Sequence, residues 1–410
     1  MLANIRSLAL TICLCVTSTA VAEGAAANCD RRAAQWLDPA SGMTLATENL
    51  FARLPKHRIV LLGEEHTAVE HHRWQTYVLS ALHSRKANLT VGFEMLPRRV
   101  QPVLDEWSDG ALTAEDLLVR SDWHEVWGYD AELYLPLLHF ARLHRLPTVA
   151  LNVDRELVSR VGREGWQAVT EAQREGLSDP APASTAYRQS LARLFAFKQS
   201  MHPGQEITQI AEPEPEVLDK IKRSAAFANF VDAQLTWDRA MAEALAAAAR
   251  RDPDTLVVGI VGRGHLEHGY GIPHQLADLD IEDVAVLLPM SVTDACDGVA
   301  PDLATAVFLL DAGSDERAAT ARPRLGVVIE AADGGVVVLQ VVADSVAAQS
   351  GVLTGDVIES AAGFKTATPA ALIEVVARQA PGTWLPLRVM RGDETRELVA
   401  RFPQQFGVIP

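Results

Sequence analysis

Residues 57–66 read HRIVLLGEEH, with four unbroken apolar residues, Ile59 to Leu62, closed by Gly63 and then by Glu64, Glu65 and His66. A strand with one solvated face alternates apolar and polar side chains. An unbroken apolar run of strand length belongs to a strand covered on both faces, which is the usual state in a parallel sheet. Working outward, Thr67-Ala68-Val69-Glu70 spells a capping box, and Trp74, Val78, Ala81 and Leu82 follow at helical spacing. The next strand is residues 90–95 (TVGFEM). Helices are expected over 99–107, 113–119 and 131–145, and a third strand over 147–153 (PTVALNV). Residues 186–201 and 216–250 read as helical, the second stretch as more than one helix, with Pro213-Glu214-Pro215 marking a break. Residues 255–261 (TLVVGIV) and 283–289 (DVAVLLP) are two further buried strands. Strands separated by helices imply an α/β fold, a parallel sheet covered by helices on both faces.

The chain has 410 residues, 48% hydrophobic and 22% charged, with a formal charge of −16. That suffices for two domains and a large core, and the acidic balance argues against a nucleic-acid partner. Arg6, the apolar run 8–16 and Ala20-Val21-Ala22 have the order of an export signal, so residues 1–22 are read as a leader and the mature chain as starting near Glu23. The run is too short for a permanent span, and no transmembrane segment is expected in the mature chain. Ile12 and Leu14 precede Cys13 and Cys15 where a lipoprotein needs a small residue, which disfavours lipid anchoring. A periplasmic or secreted location follows. Cleavage leaves Cys29 and Cys296, an even count in an oxidising compartment, and predicts one disulfide between them.

Three motifs close apolar strands: Gly63-Glu64-Glu65-His66, Gly92-Phe93-Glu94 and Gly262-Arg263-Gly264-His265, the last followed by Leu266-Glu267-His268. In a parallel sheet the carboxyl ends of strands share one edge, where ligands bind. Glu64, His66, Glu94 and His265 are therefore expected to line one pocket. Two imidazoles and one or two carboxylates suit acid–base chemistry, or a divalent metal held by His66, Glu94 and His265. The stretch 123–140 is rich in aromatic residues. Tyr134 and Phe140 lie at helical spacing and read as core, whereas Trp123, His124 and Trp127 are expected on a loop over the strand ends, in reach of a ligand. His71 reads as a packed residue, and His268 as a neighbour of the site.

The segments IVLLGEEHTAVEHH, VGFEML, WGYDAELYLPLL, VALNV and GIVGRGHLEHGYGIPHQL, in this order over residues 45 to 290, resemble the ChaN-like haem-binding family of the haem-uptake and TIKI-like superfamily. The superfamily pattern of two Gly-x-x-His motifs and a glutamate maps onto Gly63 to His66, Glu94 and Gly262 to His265. The resemblance implies haem as cofactor and a role in iron acquisition. Through more distant members it also implies the alternative of a metal-dependent hydrolase. A haem site draws on His66, Glu94, Trp123, His124, Trp127, Tyr129, Arg263, His265, His268 and Tyr270, with Tyr129, Tyr134 and Tyr270 standing beside the histidines as axial candidates.

From Arg324 the style of the chain changes to short valine-rich strands and tight turns. Arg324-Leu325-Gly326-Val327-Val328-Ile329 and the segment 344–358 (DSVAAQSGVLTGDVI) resemble PDZ domains, and this resemblance covers 324–402. It implies a small, mainly-β domain that captures a peptide or protein partner, with Arg324, Leu325, Gly326, Val327 and Leu372 at the peptide. The expected organisation is a leader (1–22), an α/β domain (30–296), a linker (297–322) in which 304–310 packs as a last short element, and a PDZ-like domain (323–404). Three functions fit this reading: an exported haem-binding protein with a peptide-binding module, a hydrolase, or an interaction protein acting through the PDZ-like domain.

Overall fold

The computed structural model describes residues 29–200, 213–311 and 323–404. The expected leader, and the linker from 312 to 322, lie outside these residues. Eight strands form the first sheet: β1 (Trp36–Leu37), β2 (Thr44–Leu45), β3 (Ile59–Glu64), β4 (Leu89–Pro97), β5 (Thr148–Asn152), β6 (Leu256–Gly262), β7 (Val284–Ser291) and β8 (Ala306–Leu310). Their order is β2-β1-β8-β7-β3-β6-β4-β5. The six strands from β8 to β5 pair in parallel, and every residue of β3, β4 and β6 is buried, as their unbroken apolar runs require. The parallel expectation fails at one edge. There β1 pairs antiparallel with both β8 and β2, and the six residues 38–43 that join β1 to β2 are too few for a parallel crossover.

Each face of the sheet carries its own core. One gathers Trp36, Phe51, Trp74, Trp107 and Tyr134. The other packs Met241, Leu245, Ala246 and Ala249, all on the alanine-rich helix Ala225–Arg251, against Ile59, Leu61, Val257 and Val261. Residues 216–250 do divide, into Pro215–Lys222 and Ala225–Arg251, with Ser224 capping the second.

Several local expectations are corrected. Helix Val69–His83 starts at an Ala68 cap with no side-chain bond, because a turn in which Ala68 N–H donates to the Glu65 carbonyl (2.8 Å) precedes it; the Thr67 capping box does not form. The expected helix over 131–145 breaks at Tyr134 into a 3₁₀ turn, Ala131–Leu133, and a helix, Leu135–Leu143, with Pro136 in its first turn. The linker starts later than 297. Helix Val292–Asp297 is followed by β8, which pairs with β7 and β1 and buries Ala306, Val307 and Leu309, so the α/β domain extends to Leu310. Cys29 and Cys296 form the expected disulfide, with Cα atoms 5.8 Å apart.

The second sheet consists of β9 (Val327–Ala332), β10 (Gly335–Val341), β11 (Val357–Ala361), β12 (Phe364–Lys365), β13 (Trp384–Arg391) and β14 (Glu394–Arg401). The order β14-β13-β11-β10-β9, antiparallel throughout, makes β9 an edge strand. Among the described residues no helix is long and apolar enough to cross a membrane.

Candidate functional site

The sheet order brings the three motifs together. β6 lies between β3 and β4, and Glu64 pairs in register with Gly262, so the ends of all three motif strands are neighbours. β4 closes with an irregularity. Phe93 pairs with Ala150 but Pro97 with Asn152, which leaves Glu94, Met95 and Leu96 opposite Leu151 alone. This bulge takes Glu94 out of the regular ladder, and Asn152 Nδ2 holds its carbonyl at 3.1 Å.

Glu94 is the centre of the site. Its carboxylate accepts the Gly262 N–H at 2.5 Å and lies 3.6 Å from His265 Nε2. A β-carbon at Gly262 would stand 2.8 Å from His66 Cε1 and 3.5 Å from Glu94 Oε2, so the bare backbone there lets both side chains cross it. Each imidazole is fixed through Nδ1 by a buried carboxylate, His66 by Glu64 at 2.7 Å and His265 by Asp238 at 2.6 Å. Asp238 also accepts the Tyr187 hydroxyl at 2.9 Å. Burial, the largest influence on His265, opposes its charged form, but Asp238, Glu94 and Glu64 outweigh it and push the pKa up to about 9. Burial likewise opposes the charged form of His66, and Glu64 and Glu94 raise its pKa nonetheless.

The neighbouring histidines serve the loop. His71 Nδ1 accepts the Glu65 N–H at 3.0 Å, and His72 Nε2 lies 3.3 Å from the His66 carbonyl. His71 is buried, as expected of a packed residue. Arg263 ties the two Gly-x-x-His turns together by pairing with Glu65 at 3.0 Å and Glu267 at 2.6 Å.

Two adjoining clefts open over this centre, of about 570 Å³ and about 640 Å³, and share His66, Tyr129, Trp237 and His265. The first continues over Met95, Pro97, Val126, Trp127 and Val153. The second continues over Leu191, Leu194, Arg263, His268 and Tyr270. Of the expected residues, Glu64, His66, Glu94, Trp127, Tyr129, Arg263, His265, His268 and Tyr270 line the trough that the two clefts make.

Trp123 does not. It begins a short helix, Trp123–Val126, is 1% exposed, and donates its indole N–H to the Tyr129 carbonyl. Its place is in the core, where it braces the aromatic segment. His124 is half-buried and lines neither cleft. Tyr134 is fully buried, lies within 3.4 Å of Glu64 and of the His66 carbonyl as a hydroxyl donor, and has its pKa pushed far up by burial and Glu64. It positions the first motif and is withdrawn as an axial candidate. The expected metal set is also withdrawn. Among the described residues no three His, Cys, Asp or Glu side chains gather as metal ligands; Glu64 Oε1 is given to His66, Asp238 to His265 and Glu94 Oε2 to the Gly262 amide, while Glu64 Oε2 is buried without a partner.

Asp238, Tyr187 and Trp237 were not expected. The signal for Asp238 was an isolated aspartate among apolar residues in the stretch 235–242 (LTWDRAMA). In the second sheet, Asp356 is buried and accepts Arg391 at 2.7 and 2.8 Å together with the Leu353 amide at 2.9 Å. Leu325 and Leu372 are 4% and 1% exposed and belong to the buried core of this domain. Val327 is half-buried and Arg324 is exposed.

Fold and site define an α/β domain with a cleft-lined polar centre at the carboxyl edge of the sheet, followed by a PDZ domain. The family model described as haem-binding uptake, Tiki superfamily, ChaN matches residues 50–276, and the chain belongs to that family. A PDZ domain model matches residues 323–400. Among solved structures, ChaN of Campylobacter jejuni with cofacial haem is similar over 67% of this chain and 95% of that one, at 18% identity and TM-score 0.50. A serine-to-alanine variant of the HtrA-type protease AlgW with a decapeptide matches 22% of this chain and 31% of its own length, at 27% identity and TM-score 0.21. An erythromycin esterase in its open conformation matches 62% of this chain and 77% of its own, at 14% identity and TM-score 0.36. No curated protein matches the chain.

Proposed function

We propose that this protein is an exported haem-binding protein of iron uptake or handling, which recruits a peptide or protein partner through its PDZ domain. Family membership supplies the ligand class, and the observation that carries the reading is the trough itself. A cleft of about 570 Å³ lies within the roughly 300–1,000 Å³ range of small-molecule sites. Trp127, Tyr129 and Trp237 wall it, and two oriented imidazoles stand at its base. A planar apolar macrocycle needs such walls, and its iron needs a nitrogen or phenolate donor. His66 and His265 are the nitrogen donors in reach, each through Nε2 once that nitrogen gives up its proton, with Tyr129 and Tyr270 the oxygen donors. Bound haem supplies the redox-active iron; the chain's own residues hold it, orient it and exclude water.

The free edge of β9 supports peptide capture by strand addition, with the amides of 325–327 and the charge of Arg324 beside a terminal carboxylate. The leader-like sequence and the disulfide support export. Titrating haem into the purified chain should give a saturable Soret band. His66→Ala and His265→Ala should each weaken binding at least about tenfold while leaving the circular dichroism unchanged. A wild-type chain with no Soret change would overturn the reading.

Acid–base hydrolysis is a second reading, favoured by the two carboxylate–imidazole pairs around Glu94. Turnover of simple esters by haem-free protein, lost in Glu94→Gln, would mark it.

A further inference from the structure

Not every charged side chain around the first cleft has a partner. Glu94 is engaged by the Gly262 amide and His265, Asp154 by Arg99 at 2.7 Å, and Glu156 by Arg160 at 3.1 Å. Arg99 also lies 3.4 Å from Asp122. Two charged side chains of the cleft remain. Arg155 makes no ion pair or side-chain hydrogen bond among the described residues, and Glu125 makes none either. Arg155 is exposed at the mouth, and its charge reaches the Tyr129 phenol, which both clefts share. The base of this cleft is imidazole and the walls are aromatic, so a ligand that fills it presents its apolar body inward and its polar edge to the mouth.

We propose that Arg155 reads a carboxylate on that edge, so that the cleft selects a planar apolar ligand in its free-acid form over the same ligand with its acids masked. This rests on the haem reading and adds a specificity-determining residue to it. A guanidinium presents a planar fork of donors that matches a carboxylate, and its charge-assisted bonds are about twice as strong as neutral ones. Glu125 acts in the opposite sense, as a like charge facing the incoming acid.

The test compares haem with haem dimethyl ester on the full chain, by Soret titration at one ionic strength. Wild type should bind the free acid about tenfold more tightly than the ester, the size expected of one charge-assisted pair at a partly solvated site. Arg155→Gln should lose that preference and leave the ester affinity within about twofold, while Arg155→Lys should keep part of it. Glu125→Gln should widen the preference. Equal affinity for the two probes in wild type, or a preference that survives Arg155→Gln, would overturn the inference and leave haem binding standing. No Soret change with either probe would overturn the haem reading, and this inference with it.

Discussion

His265 shows how one carboxylate decides what an imidazole does. Asp238 is wholly buried, bonds His265 Nδ1 at 2.6 Å and is itself held by Tyr187. An ordinary histidine titrates near 6.5, whereas His265 in the folded chain keeps its proton to about pH 9. Folding therefore binds a proton between those values. The stability that this contributes is whole below about pH 6.5, declines as the pH rises, and is gone above about pH 9. Its size is on the order of 3 kcal/mol. Asp238→Asn should be less stable than wild type by about that amount at pH 6, and the gap should shrink by more than half at pH 9.5. Denaturant unfolding of haem-free protein at the two pH values measures it, and an unchanged gap would assign Asp238 a packing role only. The motif residues were legible because each ends an apolar run. Asp238 was not, because its partner arrives from a different strand end and nothing in the helix sequence states which strand the helix crosses. Trp123 was misplaced for a related reason: an aromatic residue before a helix looks the same whether it covers a cleft or fills a core.

The elements divide in the same way. Buried parallel strands announce themselves through continuous apolar runs, and β3, β4, β6 and β7 were all legible. The hairpin β1–β2 was not, since two-residue strands carry no period to read. β8 was legible only as a short packed element, because its apolar stretch follows a composition that reads as a linker. In the PDZ domain the loop before β9 depends on one backbone state. Gly326 has φ +81°, and a β-carbon there would meet Ser345 Cβ at 2.2 Å. A side chain is thus opposed both by conformation and by contact. Gly326→Ala should distort the loop that presents the 325–327 amides, destabilise the domain by about 1–3 kcal/mol, and weaken a C-terminal peptide selected on wild type at least about tenfold. Fluorescence anisotropy of the labelled peptide reads the affinity; wild-type binding by this variant would remove the loop from the recognition mechanism.

At the scale of the whole molecule, the α/β domain is closed on itself. Its first described residue, Cys29, is bonded to Cys296 on the helix Val292–Asp297, while β1 reaches β8 beside it. The bond spans 267 positions and so encloses every strand from β1 to β7. A crosslink over so long a loop removes much of the unfolded chain's freedom. The chain-entropy account gives about 5–6 kcal/mol, from which native strain and residual unfolded structure subtract. The bond also reports on compartment, since thiols in a reducing cytosol stay reduced whereas those of an exported protein pair. Protein recovered from the exported fraction, denatured without reductant and treated with a maleimide, should show no free thiol, and two after reduction. Cys296→Ser should lower the unfolding midpoint without shifting the Soret band of bound haem, because the helix that carries it lines neither cleft. Two labelled thiols before reduction would separate the fold from the export proposal: the domain would then stand on its two cores alone, and the leader-like sequence would have to be tested by the N-terminus of the mature chain.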